Sequence, residues 1–229
     1  SAVKLSLPVG PHDTLRVGGD YQHQGMDDWW PPVAGSMMMG PNPYININNG
    51  RRDRLGLFGE WESHWTDRLS TSIGARFDRV RMNTGDVQPY GTGMMNMADA
   101  MAAEAFNARS HRRTDNNWSA TALASWQASD LLAFELGYAH KSRAPNLYER
   151  YAWGRGAMAS QMIGWYGDGN GYVGNLDLKS EQADTVSAAL RLTAKGGATL
   201  KISPYYTRVN DYIDAVHLQD LTDMMGMPS

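Results

Sequence analysis

The side chains with the most distinctive chemistry in this 229-residue sequence are its 14 methionines. Twelve of them, Met37, Met38, Met39, Met94, Met95, Met97, Met101, Met158, Met162, Met224, Met225 and Met227, fall in long connecting segments or the tail. The other two, Met26 and Met82, stand at a loop entrance and a strand end. Methionine used as core filler belongs on the apolar faces of strands, so this segregation asks for another explanation. A thioether is a soft donor that selects Cu(I) over hard cations such as Mg or Ca. The candidate copper ligands are therefore Met37, Met38 and Met39, then Met94, Met97 and Met101, then Met158 and Met162. Met94 to Ala108 is rich in alanine and predicts a short helix, on which Met94, Met97 and Met101 share one face. The same stripe would also suit a small loop core. Imidazole is scarce: His23, three residues before Met26, makes the one pair worth testing for metal, while His111 and His140 stand at segment ends as ordinary hydrogen-bonding residues.

A second set, Trp29, Trp30, Trp153, Trp165 and Tyr166, would present flat aromatic surface to a large ligand, or anchor the chain at an interface. Other apparent motifs fail on context. Gly169 to Gly174 matches the dinucleotide fingerprint by letter, but no strand leads closely into it and no helix follows. Asp168-Gly169-Asn170-Gly171 suggests a calcium loop, yet Lys179 stands where the closing glutamate belongs. Serine, histidine and aspartate are too scattered for a catalytic triad, and Asp27-Asp28 reads as a solvated loop pair. No catalytic residue is expected, and no cofactor is required.

Composition narrows the classes further. A net charge of -3 with 20% charged residues lacks the basic excess of nucleic-acid binding, so no nucleic-acid partner is expected. Zero cysteines exclude disulfides, cysteine zinc sites and a cysteine nucleophile. With 42% hydrophobic residues the chain has material for a core, while a mean hydropathy of -0.49 and the lack of a long apolar run argue against a spanning helix. Neither number argues against membrane strands, which are only half apolar. The opening residues Ser1 to Leu7 carry no basic start and no cleavage site, so no signal peptide is expected in them.

The elements that must position these residues announce themselves by a two-residue rhythm. Leu55, Leu57, Gly59, Trp61 and Trp65 alternate with Arg54, Glu60, Glu62 and His64, which predicts a long strand with one greasy and one charged face. The alternation resumes at Leu69, Ile73 and Phe77, returns at Trp118 to Trp126, runs back through Phe134, Leu136 and Tyr138, and closes with a hairpin at 195–197. About eight strands of roughly 8 to 15 residues are longer than soluble strands and suit a tilted crossing of a bilayer. Short turns near 9–13, 66–68, 128–130 and 195–197 alternate with long segments at 24–50, 83–116 and 143–180. Short turns on one rim and long loops on the other are the asymmetry of outer-membrane barrels, and Trp118 and Trp126 bracket an apolar stretch as two aromatic girdles would. A soluble β-sandwich also alternates, but three such loops would be unusual in it. The expected fold is all-β: an antiparallel up-and-down transmembrane barrel segment with long extracellular loops. Arg54, Glu60, Glu62, Arg76, Asp78, Glu135 and Lys141 should face its lumen.

Ser142 to Arg150 and Gly174 to Glu181 resemble the barrel of TonB-dependent outer-membrane receptors, where such stretches flank a long extracellular loop. Tyr148 to Gly154, Gly167 to Asn175, and Met26 to Pro32 followed by Met37 to Gly40 are similar to the copper-receptor branch. The resemblance implies a Gram-negative outer-membrane location, energy-coupled uptake of copper or a copper complex, contact with outer-membrane lipid, and coupling to the TonB complex. It also implies about 22 strands around a plug, against the eight or so found here. Residues 1–229 are therefore expected to be a partial receptor barrel domain without its plug, and a closed eight-strand barrel is the alternative. Other readings are a siderophore or vitamin receptor of the same superfamily, or a barrel enzyme or adhesion module using His23, Asp27 and Asp28 at the rim.

Overall fold

The computed structural model describes residues 1–156, 159, 162–164, 171–194 and 196–216. Its strands are β1 (Ala2–Pro8), β2 (Asp13–Trp30), β3 (Tyr44–Thr66), β4 (Leu69–Asn83), β5 (Arg113–Ser129), β6 (Leu132–Arg143), β7 (Glu181–Thr193), β8 (Thr199–Ile202) and β9 (Tyr205–Asn210). They form one antiparallel meander in sequence order, with β8 and β9 end to end on the same edge of β7. Pro204 separates those two pieces, because its ring nitrogen has no proton for the ladder; its carbonyl still accepts the Ala188 N–H. Eight ladder positions result, as the alternation predicts. Among the described residues no pairing joins β1 to β8 or β9, so the sheet is an open arc rather than a closed eight-strand barrel. No helix among them is long and apolar enough to cross a membrane, which says nothing of strands.

Two expectations need correction. β2 and β3 run to 18 and 23 residues, so the segment expected as a loop from 24 to 50 shrinks to 31–43. The two strands keep pairing beyond the apolar stretch, through irregularities at Met26/Asp28 and Asp28/Trp29, because the ladder satisfies their backbone where alternation no longer marks it. His23, Met26, Trp29 and Trp30 therefore belong to a strand. The other two long segments carry local helices: a 3-10 turn Met94–Asn96 leading into α1 (Met97–Asn107), and α2 (Leu147–Tyr151).

The sheet inverts the burial of a soluble protein. Leu57, Ile73, Trp118 and Leu136 point away from the chain and are more than half exposed. Such a face is the outward band expected of a membrane barrel. The opposite face gathers charge: Arg76 contacts Asp20 at 2.7 Å and Asp78 at 2.6 Å, Arg54 contacts Asp20 at 2.8 Å, and Arg16 contacts Glu60 and Glu62 at 2.6 Å each. Gly56 sits where a Cβ would collide with the Arg76 guanidinium, so the missing side chain is what lets that ion pair lie across β3. The expected lumen set Arg54, Glu60, Glu62, Arg76 and Asp78 lies on this face, and the β6 register puts Glu135 and Lys141 there too. Trp118 packs on Phe77 at 4.8 Å and Trp126 on Phe134 at 5.7 Å, giving an aromatic pair at each end of the apolar band. The two tryptophans stand eight positions apart on one strand, roughly 26 Å along the chain.

Candidate functional site

The compact core of the molecule lies in a cap over one end of the sheet. Tyr44 is its centre: Trp153 stacks on it at 4.9 Å, with Tyr90 at 5.6 Å and Trp30 at 5.8 Å. Ile47, Val80, Met82, Phe106, Leu147 and Tyr151 fill the space around them. The Trp153 indole N–H donates to the Ile45 carbonyl at 3.0 Å, joining the third long segment to the start of β3. Tyr151 donates to the His111 carbonyl at 2.8 Å, and burial pushes its phenol up to about 12.

α2 orients this cap through a capping box. Asn146 Oδ1 accepts the Glu149 N–H at 2.8 Å and Glu149 Oε2 accepts the Asn146 N–H at 2.7 Å. One residue further, Arg150 is 1% exposed; it grips Asp115 of β5 at 2.8 and 3.1 Å, donates to the Leu178 carbonyl at 2.7 Å and touches Met82 Sδ at 3.5 Å. Arg143 clasps Glu149 at 3.0 Å and Glu181 at 3.4 Å, tying the end of β6 to the start of β7. The two motifs that flank the third segment are thus clamps holding its ends to the sheet. Asn-x-x-Glu ahead of an arginine is the signal that sequence reasoning passed over.

α1 turns two faces. Asp99, Ala103 and Phe106 face the cap. Asp99 Oδ1 accepts the N–H groups of Arg155 and Gly156 at 2.9 and 2.7 Å, and burial holds its carboxyl above the usual range against the pull of those two donors. The other face presents Met94, Met97 and Met101, which are 82%, 52% and 65% exposed. This stripe is therefore on solvent, whereas the competing reading made it a loop core. Met37, 80% exposed, borders a hollow of about 540 Å³ lined also by Pro32, Val33, Ser36, Gly40 and Pro41. That loop and the Met94 turn are neighbours: the Asn42 N–H donates to the Tyr90 carbonyl at 3.0 Å, and Gly91 lies against the Gly40 carbonyl.

The remaining sequence candidates divide. Met38 is exposed; Met26, Met39 and Met162 pack against the cap core, and Tyr90 Oη lies 3.9 Å from Met162 Sδ. Trp29 is exposed, Trp30 is partly buried in the cap and Trp153 is fully within it. Met158, Trp165 and Tyr166 lie outside the described residues. His23 and Met26 do not form a pair: a spacing of three on a strand sends them to opposite faces, where His23 meets Asp53 at 2.7 Å and Met26 joins the cap. His111 places its two ring nitrogens 3.1 and 2.9 Å from the carbonyls of Thr84 and Phe106. Asp28 lies 2.7 Å from the Asn46 amide and Asp27 accepts the Asn49 N–H at 2.5 Å. Among the described residues no three His, Cys, Asp or Glu side chains converge as a metal site.

The sequence profile of the family described as "TonB dependent receptor-like, beta-barrel" matches residues 2–223. Comparison with curated protein sequences gives no match. Among solved structures, a protein titled "Copper transporter OprC" is similar at a TM-score of 0.61 and 15% identity over 92% of this chain and 29% of its own. The hemophore receptor HasR of Serratia marcescens, in a complex with its hemophore HasA and heme, is similar at 0.60 and 13% identity over 92% of this chain and 32% of its own. Likeness at these identities establishes the fold. The chain spans about a third of the length of each, so its open sheet is an arc of a larger barrel.

Proposed function

Since the chain belongs to the TonB-dependent receptor β-barrel family, we propose that it is part of a Gram-negative outer-membrane receptor that takes up copper, or a copper complex, by TonB-coupled transport. The family consists of transporters rather than enzymes. One observation carries the copper reading: the thioethers of Met97 and Met101 on α1, and of Met94 in the 3-10 turn that leads into it, stand on solvent beside the loop that exposes Met37 and Met38. A thioether selects a soft cation over a hard one, and sulfur on a solvent face has no packing use there. The charged inner face then gives the ion a hydrated wall, and a plug carried elsewhere in the polypeptide would gate the lumen under force from the TonB complex. Each role follows from what its position offers: capture at the rim, passage along the lumen, anchorage at the lipid face.

The test is a copper titration of the full-length receptor, purified from outer membranes, beside a version with Met37, Met38, Met39, Met94, Met97 and Met101 changed to alanine. Stoichiometric copper that falls in the variant is the expected result. Copper retained in full would move the site to the plug or elsewhere in the barrel. No copper in either protein would turn the ligand search toward siderophores, which Trp29 at the rim would favour.

A further inference from the structure

Five of the six histidines lie among the described residues, and they divide by what their rings do. His23 Nδ1 meets Asp53 at 2.7 Å, His140 Nδ1 meets Asp184 at 2.9 Å, and the two ring nitrogens of His111 meet backbone carbonyls at 3.1 and 2.9 Å. Those three rings are tied to the protein. His12 and His64 are exposed, and their rings make no hydrogen bond among the described residues. These two are also neighbours. The His64 N–H donates to the His12 carbonyl at 2.9 Å, which continues the pairing of Asp13 with Ser63 by one position to His12 and His64. Residues directly opposed in an antiparallel pair share one face of the sheet, with Cβ atoms roughly 4.5–5.5 Å apart.

That face is the inner one. Asp13 receives the Trp61 indole N–H at 3.0 Å on the outward side, so alternation turns His12 inward. His64 Nε2 lies 3.7 Å from Glu62 Oε1, and Glu62 holds Arg16 at 2.6 Å within the inner ladder of charges. Ser70 of β4, small and neutral, stands opposite His64 on its other flank. Imidazole is the commonest metal-binding side chain and suits copper and zinc alike. Two imidazoles on facing strands need only rotate toward each other to hold one ion, with water filling the remaining positions, and the Glu62 carboxylate adds favourable charge. We propose that His12 and His64 form a transition-metal site at the short-turn end of the lumen, at the opposite end of the sheet from the cap and separate from the rim thioethers. Donor chemistry thus changes along the lumen, from sulfur at the rim to nitrogen at the other end. The site stands on its own residues; its place in the transport path, receiving the ion as it leaves, rests on the copper-uptake reading above.

The test is a Cu(II) titration of the tag-free full-length receptor, read by electron paramagnetic resonance, in which splitting from directly bound nitrogen counts the imidazoles on the ion. The variants are His12→Asn, His64→Asn, His23→Asn on the outward face, and the version with the rim methionines changed to alanine. Wild type should bind a Cu(II) ion through two imidazole nitrogens. Its affinity should fall at least about tenfold in His12→Asn and in His64→Asn, since losing even an outer-shell partner of a metal costs that much, and should be unchanged in His23→Asn. The methionine variant should keep this ion. A wild-type spectrum without the two-nitrogen ion, its persistence in His12→Asn and His64→Asn, or an equal loss in His23→Asn would overturn the site. Copper retained at the rim by the methionine variant, with the two-nitrogen ion still dependent on His12 and His64, would overturn thioether capture and leave the imidazole site standing.

Discussion

The sheet and the cap above it are built on opposite rules. In the sheet, Leu57, Ile73 and Leu136 point away from the protein while Asp20, Arg54 and Arg76 turn toward one another. In the cap, Tyr44, Leu147 and Trp153 pack together and the α1 methionines turn outward. The difference teaches which solvent each region meets. Lipid rewards apolar side chains on the outside and asks only that backbone bonds be made within the sheet. Water around the rim demands a buried core, and this one is assembled from segments more than 100 residues apart, as the Trp153–Ile45 contact shows. The sheet is a repetitive ladder of local hairpins. The cap depends on a few single contacts, so it should fail at single residues.

The largest effect is expected there. Arg150→Ala removes the partner of Asp115 from an almost fully enclosed site and should cost the cap about 3–5 kcal/mol. Hydrogen exchange should show residues 147–156 and 171–178 losing protection while β4 keeps its own. Equal loss in both regions would erase the distinction drawn between them. Ile73→Arg should do the converse. A charge near the middle of the lipid face should cost about 2–4 kcal/mol of folding into the bilayer, read as urea-dependent refolding into vesicles, with cap exchange unchanged in the molecules that insert.

A smaller effect should appear with pH. Because burial raises the Asp99 carboxyl, its contribution to cap stability is fully present below the ordinary value near 3.8 and is lost as pH rises through the raised folded value. Amides of the 155–156 turn should therefore show higher protection in mild acid than at neutrality once the base-catalysed intrinsic rate is divided out. Asp99→Asn, which can still accept both N–H bonds, should flatten that dependence. The smallest effect should come from Arg76→Gln on the inner face, at most about 1 kcal/mol, because its ion pairs are open to water on one side. Thermal melting of the inserted receptor would check it; a loss as large as that of Arg150→Ala would mean that the inner ladder, too, is a buried lock.

Much of the sheet was legible in advance because a period of two writes itself into every hairpin: Leu55 to Trp65 and Trp118 to Trp126 name both the strands and their lipid face. The continuation of β2 and β3 past the band was not legible. Beyond Met26 the strands leave lipid, their two faces no longer meet contrasting solvents, and alternation loses its cause. The helix carrying Met94, Met97 and Met101 could be read from spacing and alanine content; that its stripe faces water could not, since solvent and a loop core leave the same pattern.

By itself, then, the sequence determined an antiparallel chain of membrane-length strands with short turns at one end and long loops at the other, because those features arise between neighbours and from the surrounding solvent. Only the tertiary structure decided that His23 and Met26 part company across a strand, that Trp153 belongs to a core around Tyr44, and that Arg150 locks the cap through Asp115 and Leu178. Those outcomes depend on groups far apart along the chain meeting at atomic distance, and side-chain identity and spacing do not encode such meetings.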